Sequence, residues 1–153
     1  MTDTVRKRCL DCLIARLREP NLFTWATDPA VNPGKMDYRK ASELPAISIF
    51  VRAETAEVTT YGQDRCTMSV DISGITFMSR DSATDAKESA FDLAEQIRGE
   101  LIHAAVTTDF QEMAEKIDFM GGDVVYPAAE DQALAVGVSF EIEYYTMHNN
   151  PFE

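Results

Sequence analysis

From Ala133 to Thr146 the chain reads ALAVGVSFEIEYYT, an alternation with almost no fault. Leu134, Val136, Val138, Phe140, Ile142 and Tyr144 fall on one side, and Ala135, Gly137, Ser139, Glu141, Glu143 and Tyr145 on the other. A period of two marks a strand with one face buried and one face open. At roughly 3.4 Å per residue it would run somewhat under 50 Å, about twice an ordinary strand. A chain that carries it must supply a partner of matching length and a cover for one side.

The partner is legible. RCTMSVDIS alternates as cleanly, with Cys66, Met68, Val70 and Ile72 against Arg65, Thr67, Ser69, Asp71 and Ser73. At Gly74 the phase flips to Ile75 and Phe77, which predicts a bulge or bend within one strand from Arg65 to about Met78. LPAISIFV predicts a further strand over 46–51 with Ile47, Ile49 and Val51 on one face. KIDFMGGDVVYP predicts another, kinked or bulged at Gly121–Gly122 and closed by Pro127.

The cover is helical. Val5, Cys9, Cys12, Leu13 and Leu17 recur at helical spacing over 4–18, with Asp3 or Thr4 to cap the start and Pro20 to close the end. Ala90, Leu93, Ala94, Ile97 and Leu101 form a second stripe from about 85 to His103, opened by the capping-box sequence Asp85-Ala-Lys-Glu88. Asn21–Glu43 has no sustained period and reads as a long loop, with a short strand near Leu22–Trp25. Arg52–Asp64 is polar and reads as a loop or an arm ordered by a neighbour. Both stretches are expected to be the least protected parts of the chain. Residues 147–153 read as a short polar tail.

Strands joined in pairs around a helix predict one α+β domain over 1–153. Its sheet is mixed but mostly antiparallel, with both helices packed on one face. The other face then carries Asp71, Ser139, Glu141 and Glu143 in a regular polar array.

The 14 basic against 26 acidic residues, a net charge of −12, do not offer the positive footprint that phosphate binding needs. No apolar run reaches the roughly 20 residues of a membrane helix. The N-terminal apolar positions are interrupted by Asp11 and Arg16, so they do not make a secretory leader, and a cytosolic site of synthesis is expected. Cys9, Cys12 and Cys66 are an odd set without a disulfide framework, and the Cys9–Cys12 spacing falls inside a helix, where a redox pair would not start. No metal site, cofactor fingerprint or nucleophile motif is present in the sequence, so no catalytic, metal or cofactor residue is expected. His103 suits a helix C-terminus. Were the protein instead a small cytosolic enzyme or ligand-binding domain, Asp71, Glu141, Glu143 and His103 would have to converge in a pocket.

The order of these parts resembles a known family. A short helix, an irregular aromatic-bearing segment, LPAISIFV, an acidic Thr-rich arm and CTMSVDISGITFMSR lead into a helix opening DSATDAKESAFDLAEQI. A Gly-interrupted strand and a final ALAVGVSFEIEYYT with a short tail follow. This resembles the tail terminator proteins of long-tailed bacteriophages, the lambda-like terminators in particular, over nearly the full chain. The resemblance rests on order rather than on a signature residue, and no functional residue of that family maps onto a matching position.

It implies a non-enzymatic assembly protein of the virion tail, made in the host cytoplasm. Copies of the chain would form a ring, a hexamer in that family, capping the head-proximal end of the tail tube and ending its polymerisation. The implied partners are further copies of itself, the tail tube protein and a head-completion or connector protein. DNA would pass as unbound cargo, and no membrane or cofactor is implied. Another head–tail connector or minor tail protein is the alternative in the same setting. Trp25, Glu54, Glu57, Tyr61, Asp71, Glu141 and Glu143 are the candidate subunit-contact or lumen residues.

Overall fold

The computed structural model describes residues 3–34, 44–59, 61–77, 86–127 and 133–153. The chain runs α1 (Val5–Leu17), β1 (Ala30–Pro33), β2 (Ala46–Val58), β3 (Gln63–Phe77), α2 (Ala86–Val106), β4 (Ala114–Val125) and β5 (Ala133–Met147). The strands form one sheet in the order β1-β2-β3-β5-β4. All neighbours are antiparallel except β1, which lies parallel to β2. With both helices on one face, this is the expected α+β fold.

Burial along β5 alternates at every residue from Ala133 to Thr146. Its register with β3 is unbroken from Gln63↔Met147 to Phe77↔Ala133. Met68, Val70 and Ile72 of β3 and Leu134, Val136, Phe140 and Ile142 of β5 are fully buried against the helices. Each such side chain contributes about 1.5–3 kcal/mol when removed from water, so a slip of one residue would turn the whole row outward. The helices supply the other half of the core through Val5, Cys9, Leu13 and Leu17 of α1, and through Ala94, Ile97, Leu101 and Ala105 of α2. The Thr4 hydroxyl caps α1 by accepting from the Lys7 amide. α2 runs three residues past His103, and its expected capping box at Asp85 lies outside the described residues.

The phase change at Gly74 is not a bulge. β3 pairs with both neighbours without a shift there, and Gly74 keeps the inward position that the even residues hold. The position has no room for a side chain because α2 and Trp25 crowd it. Ile75 and Phe77 simply point to the other face.

The bulges lie elsewhere. Register shifts occur between Val51 and Ala53 in β2, and between Ala114 and Lys116 and between Phe119 and Gly121 in β4. Gly121, at φ +116°, serves the second β4 shift, in line with the kink expected from the paired glycines. At Gly122 a Cβ would fall on the Gly137 carbonyl oxygen, so β4 and β5 approach there only because the side chain is missing.

Two loop expectations are corrected. The stretch after Val51 continues as strand to Val58, paired to β3 down to Val58↔Asp64, so it is ordered within the chain and its turn is short. Leu22–Trp25 forms no strand; the short strand is Ala30–Pro33, with residues 35–43 outside the described set. The tail is ordered as well: the Pro151 carbonyl accepts from the Val5 amide at 2.9 Å.

Candidate functional site

With both helices on one side, no described helix or loop covers the opposite face of β2, β3, β5 and β4, which is bare among the described residues. Strand register assigns its rows. Phe50, Asp71, Ser139 and Gly121 form one; Ala53, Ser69, Glu141 and Asp118 the next; Thr55, Thr67, Glu143 and Lys116 the third. Beyond them Glu57 lies beside Arg65, which lies beside Tyr145.

The bulge at Arg52 matters here. It places the Arg52 guanidinium 3.3 Å from the Asp71 carboxylate, whose other oxygen accepts from the Ser139 hydroxyl at 2.7 Å. Arg65 is ion-paired with Glu57 and Lys116 with Asp118, the latter at 3.4 Å. The Arg65 guanidinium is held above its ordinary value, first by its hydrogen bond to Glu57 and then by the charges of Glu57 and Glu143. These three cations each have a carboxylate partner, while Glu141, Glu143 and Asp123 remain without an ion-paired cation among the described residues. Glu141 faces the like charge of Asp118 directly across the β5–β4 ladder.

In the middle of the face lies a shallow depression of about 490 Å³. Ser73, Gly137 and Gly121–Gly122 floor it, with Arg52 and Asp71 on one side and Met120 and Asp123 on the other. Asp123 leans over Gly137, where a Cβ would sit 2.5 Å from its Oδ1.

Of the candidate residues, Glu57, Asp71, Glu141 and Glu143 come together on this face. Glu54 does not. The shift at Arg52 carries it to the helix side, opposite Met68, where it pairs with Arg6 at 2.9 Å and, after burial, its charge helps to raise the Tyr144 phenol. Tyr61 stands at the hairpin tip, 88% exposed. Trp25 is a core residue rather than a surface anchor: it packs over Gly74 with Phe23 at 5.9 Å, and its indole nitrogen is buried without a partner among the described residues. His103 is exposed on α2, across the sheet from Asp71, Glu141 and Glu143, so those four groups do not converge.

The sequence alone does not assign Arg52, Lys116 and Asp123 to the face, because the bulges beside them break the period that would set their side. The basic residues of α1 and its C-cap are engaged within the chain: Arg6 with Glu54, Lys7 with Asp3 and Asp11, Arg8 with the Phe152 carbonyl, Arg16 with Glu19, and Arg18 with the Val31 carbonyl.

Among the described residues no group of His, Cys, Asp and Glu is arranged to hold a metal ion, and no helix is long and apolar enough to cross a membrane. Compared with models of known protein families and with curated protein sequences, the chain finds no match.

Proposed function

We propose that the protein is a tail terminator of a long-tailed bacteriophage, an assembly protein without catalytic activity. It closes into a ring of identical subunits at the head-proximal end of the tail tube, stops tube growth, and offers its far side to a head-completion protein. The observation that carries the reading is the bare sheet face, which is regular, acidic and long.

A surface meant for subunit contact is depleted of charge at its centre and enriched in aromatic residues. This face is the reverse, with Glu141, Glu143 and Asp123 in excess over its paired cations. It suits the wall of a lumen, where carboxylates repel DNA phosphates and let the duplex slide without sticking. Met120 stands exposed on the face itself, but most of the exposed apolar side chains gather at the two ends of the sheet. Val58, Tyr61 and Met147 lie at the hairpin end; Phe77, Phe91, Val125 and Tyr126 lie at the other, with Phe91 and Tyr126 stacked at 6.3 Å. A ring closed by head-to-tail contacts needs two such unlike surfaces on each subunit.

Electron microscopy of the protein mixed with tail tubes tests the reading. Rings seated at one tube end support it. A protein that neither forms rings nor binds tube ends under any condition contradicts it.

A further inference from the structure

Residues 148–153 cross from the end of β5 to the start of α1 and are held there by polar ties. On the hairpin side the His148 amide donates to the Gly62 carbonyl at 2.9 Å, and the His148 ring meets the Asp64 carboxylate at 2.8 Å. On the helix side the Pro151 carbonyl accepts from the Val5 amide, and the Phe152 carbonyl from the Arg8 guanidinium, both at 2.9 Å. The Met147 amide closes the turn on the Glu153 carbonyl at 2.6 Å.

Apolar anchoring is slight, since Phe152 stays 42% exposed. Beneath the segment is a cleft of about 380 Å³ walled by Glu54, Asp64, Cys66, Tyr144 and Thr146, polar where the rest of the helix side is apolar. Each hydrogen bond contributes only about 0.5–1.5 kcal/mol net. The rows of buried side chains in β3 and β5 hold far more strongly, so this segment opens more easily than the sheet it crosses.

We infer that residues 148–153 are a strap that opens as one unit while the sheet and helices stay folded. Opening releases the β2–β3 hairpin end from α1 and uncovers the Cys66 wall of the cleft. Apart from the strap, the Arg6–Glu54 ion pair and the core cluster shared by Val5, Cys9, Cys66 and Met68 join α1 to this end of the sheet, so opening the strap loosens the hold on the tip with Tyr61. The inference stands apart from the assembly role and holds whether or not the ring forms.

The cysteines report on it. Cys66 is 4% exposed in the closed state, and its thiol is raised by burial, so alkylation waits on opening. Cys9 is fully buried in the core and waits on global unfolding. On the full-length chain, iodoacetamide labelling read site by site by mass spectrometry, with amide hydrogen exchange, should be followed through low urea. Cys66 is expected to label at least about a hundredfold faster than Cys9, with little dependence on urea.

The Val5 and Met147 amides should share one opening constant. His148→Ala should raise both by about the same factor, on the order of tenfold for the removal of one charge-assisted hydrogen bond. Labelling of Cys66 in step with Cys9, with the same urea slope, overturns the inference. A Val5 amide that does not respond to His148→Ala overturns it too, because the ends would then be fraying separately.

Discussion

A Cβ built on Gly74 would stand 2.8 Å from Ile97 Cγ2 and 3.2 Å from Leu101 Cδ1. The absence of a side chain at one inward position of β3 is what lets α2 lie down on the sheet. Gly74→Ala should therefore destabilise the protein by about 1–3 kcal/mol, although alanine is ordinarily the better strand residue. Urea denaturation checks this. Ile97→Ala removes the crowding Cγ2, so the double variant should lose less than the sum of the two single losses, and strict additivity would contradict the contact.

Trp25 lies in the same corner, buried, with an indole N–H that has no partner among the described residues. Trp25→Phe keeps an aromatic ring and deletes the orphan donor, so it should cost no more than about 1 kcal/mol. Trp25→Ala opens a cavity and should cost about 3–5 kcal/mol. The intrinsic fluorescence should be blue-shifted in the folded protein and move red on unfolding. A spectrum that is already red-shifted in native buffer would place the indole outside the core.

Alkaline pH should weaken the fold. Burial, and then the nearby Cys12, push the Cys9 thiol from 9.0 to about 11, and burial followed by the Glu54 charge raises the Tyr144 phenol. Both groups are neutral when protonated, and the folded state keeps the proton longer than the unfolded one does. Folded protein therefore binds more protons above the unfolded values, and stability falls as pH rises. For Cys9 the contribution is intact below pH about 9 and is lost between about 9 and 11, at on the order of 1.4 kcal/mol per pH unit. The slope for Tyr144 begins near the ordinary tyrosine value of about 10. Denaturation midpoints taken from pH 7 to 11 check this, and Cys9→Ala should flatten the lower part of the curve.

Glu141 and Asp118 are like charges directly opposite on the bare face. Glu141→Lys replaces repulsion with attraction and should leave the isolated chain as stable as before, or more stable by about 0.2–1 kcal/mol. If the face lines the lumen, Glu141→Lys combined with Glu143→Lys should still permit rings at tube ends. The ring should, however, retard duplex DNA in a gel at low salt, whereas the native ring should not. Loss of ring formation would move this face from the lumen to a subunit contact.

The sheet is legible in the sequence wherever one face is buried without interruption. In β5 and β3 the period of two survives almost to the last residue, and so burial follows the sequence pattern. Legibility fails where a tertiary contact deletes a side chain: Gly74 looks like a slip in phase because Ile97 of α2 fills the space where an apolar residue of β3 would stand. It fails again where bulges change the side, at Arg52 in β2 and near Met120 in β4, the second of which hides Asp123 from the face it joins. The short parallel strand Ala30–Pro33 has four residues and a partner that is fixed only by the fold, so no local period could announce it. Asp71, Glu141 and Glu143 are legible as a group because alternation alone decides their side; Glu57 is not, because the stretch that carries it reads as a loop and only the β2–β3 register sets it beside Arg65. Trp25 is not, because an aromatic in an aperiodic segment carries no sign of which way it turns.

The central claim is that this chain ends a tail tube by forming a ring whose wall is the bare acidic face. The most direct measurement is cryo-electron microscopy of the protein with polymerised tube protein. It should show a single ring at one end of each tube, with the β3–β5 face and Glu141 turned to the channel, and tubes that no longer grow when free tube subunits are added. Tubes that keep growing at both ends, with the protein absent from their tips, would contradict the account.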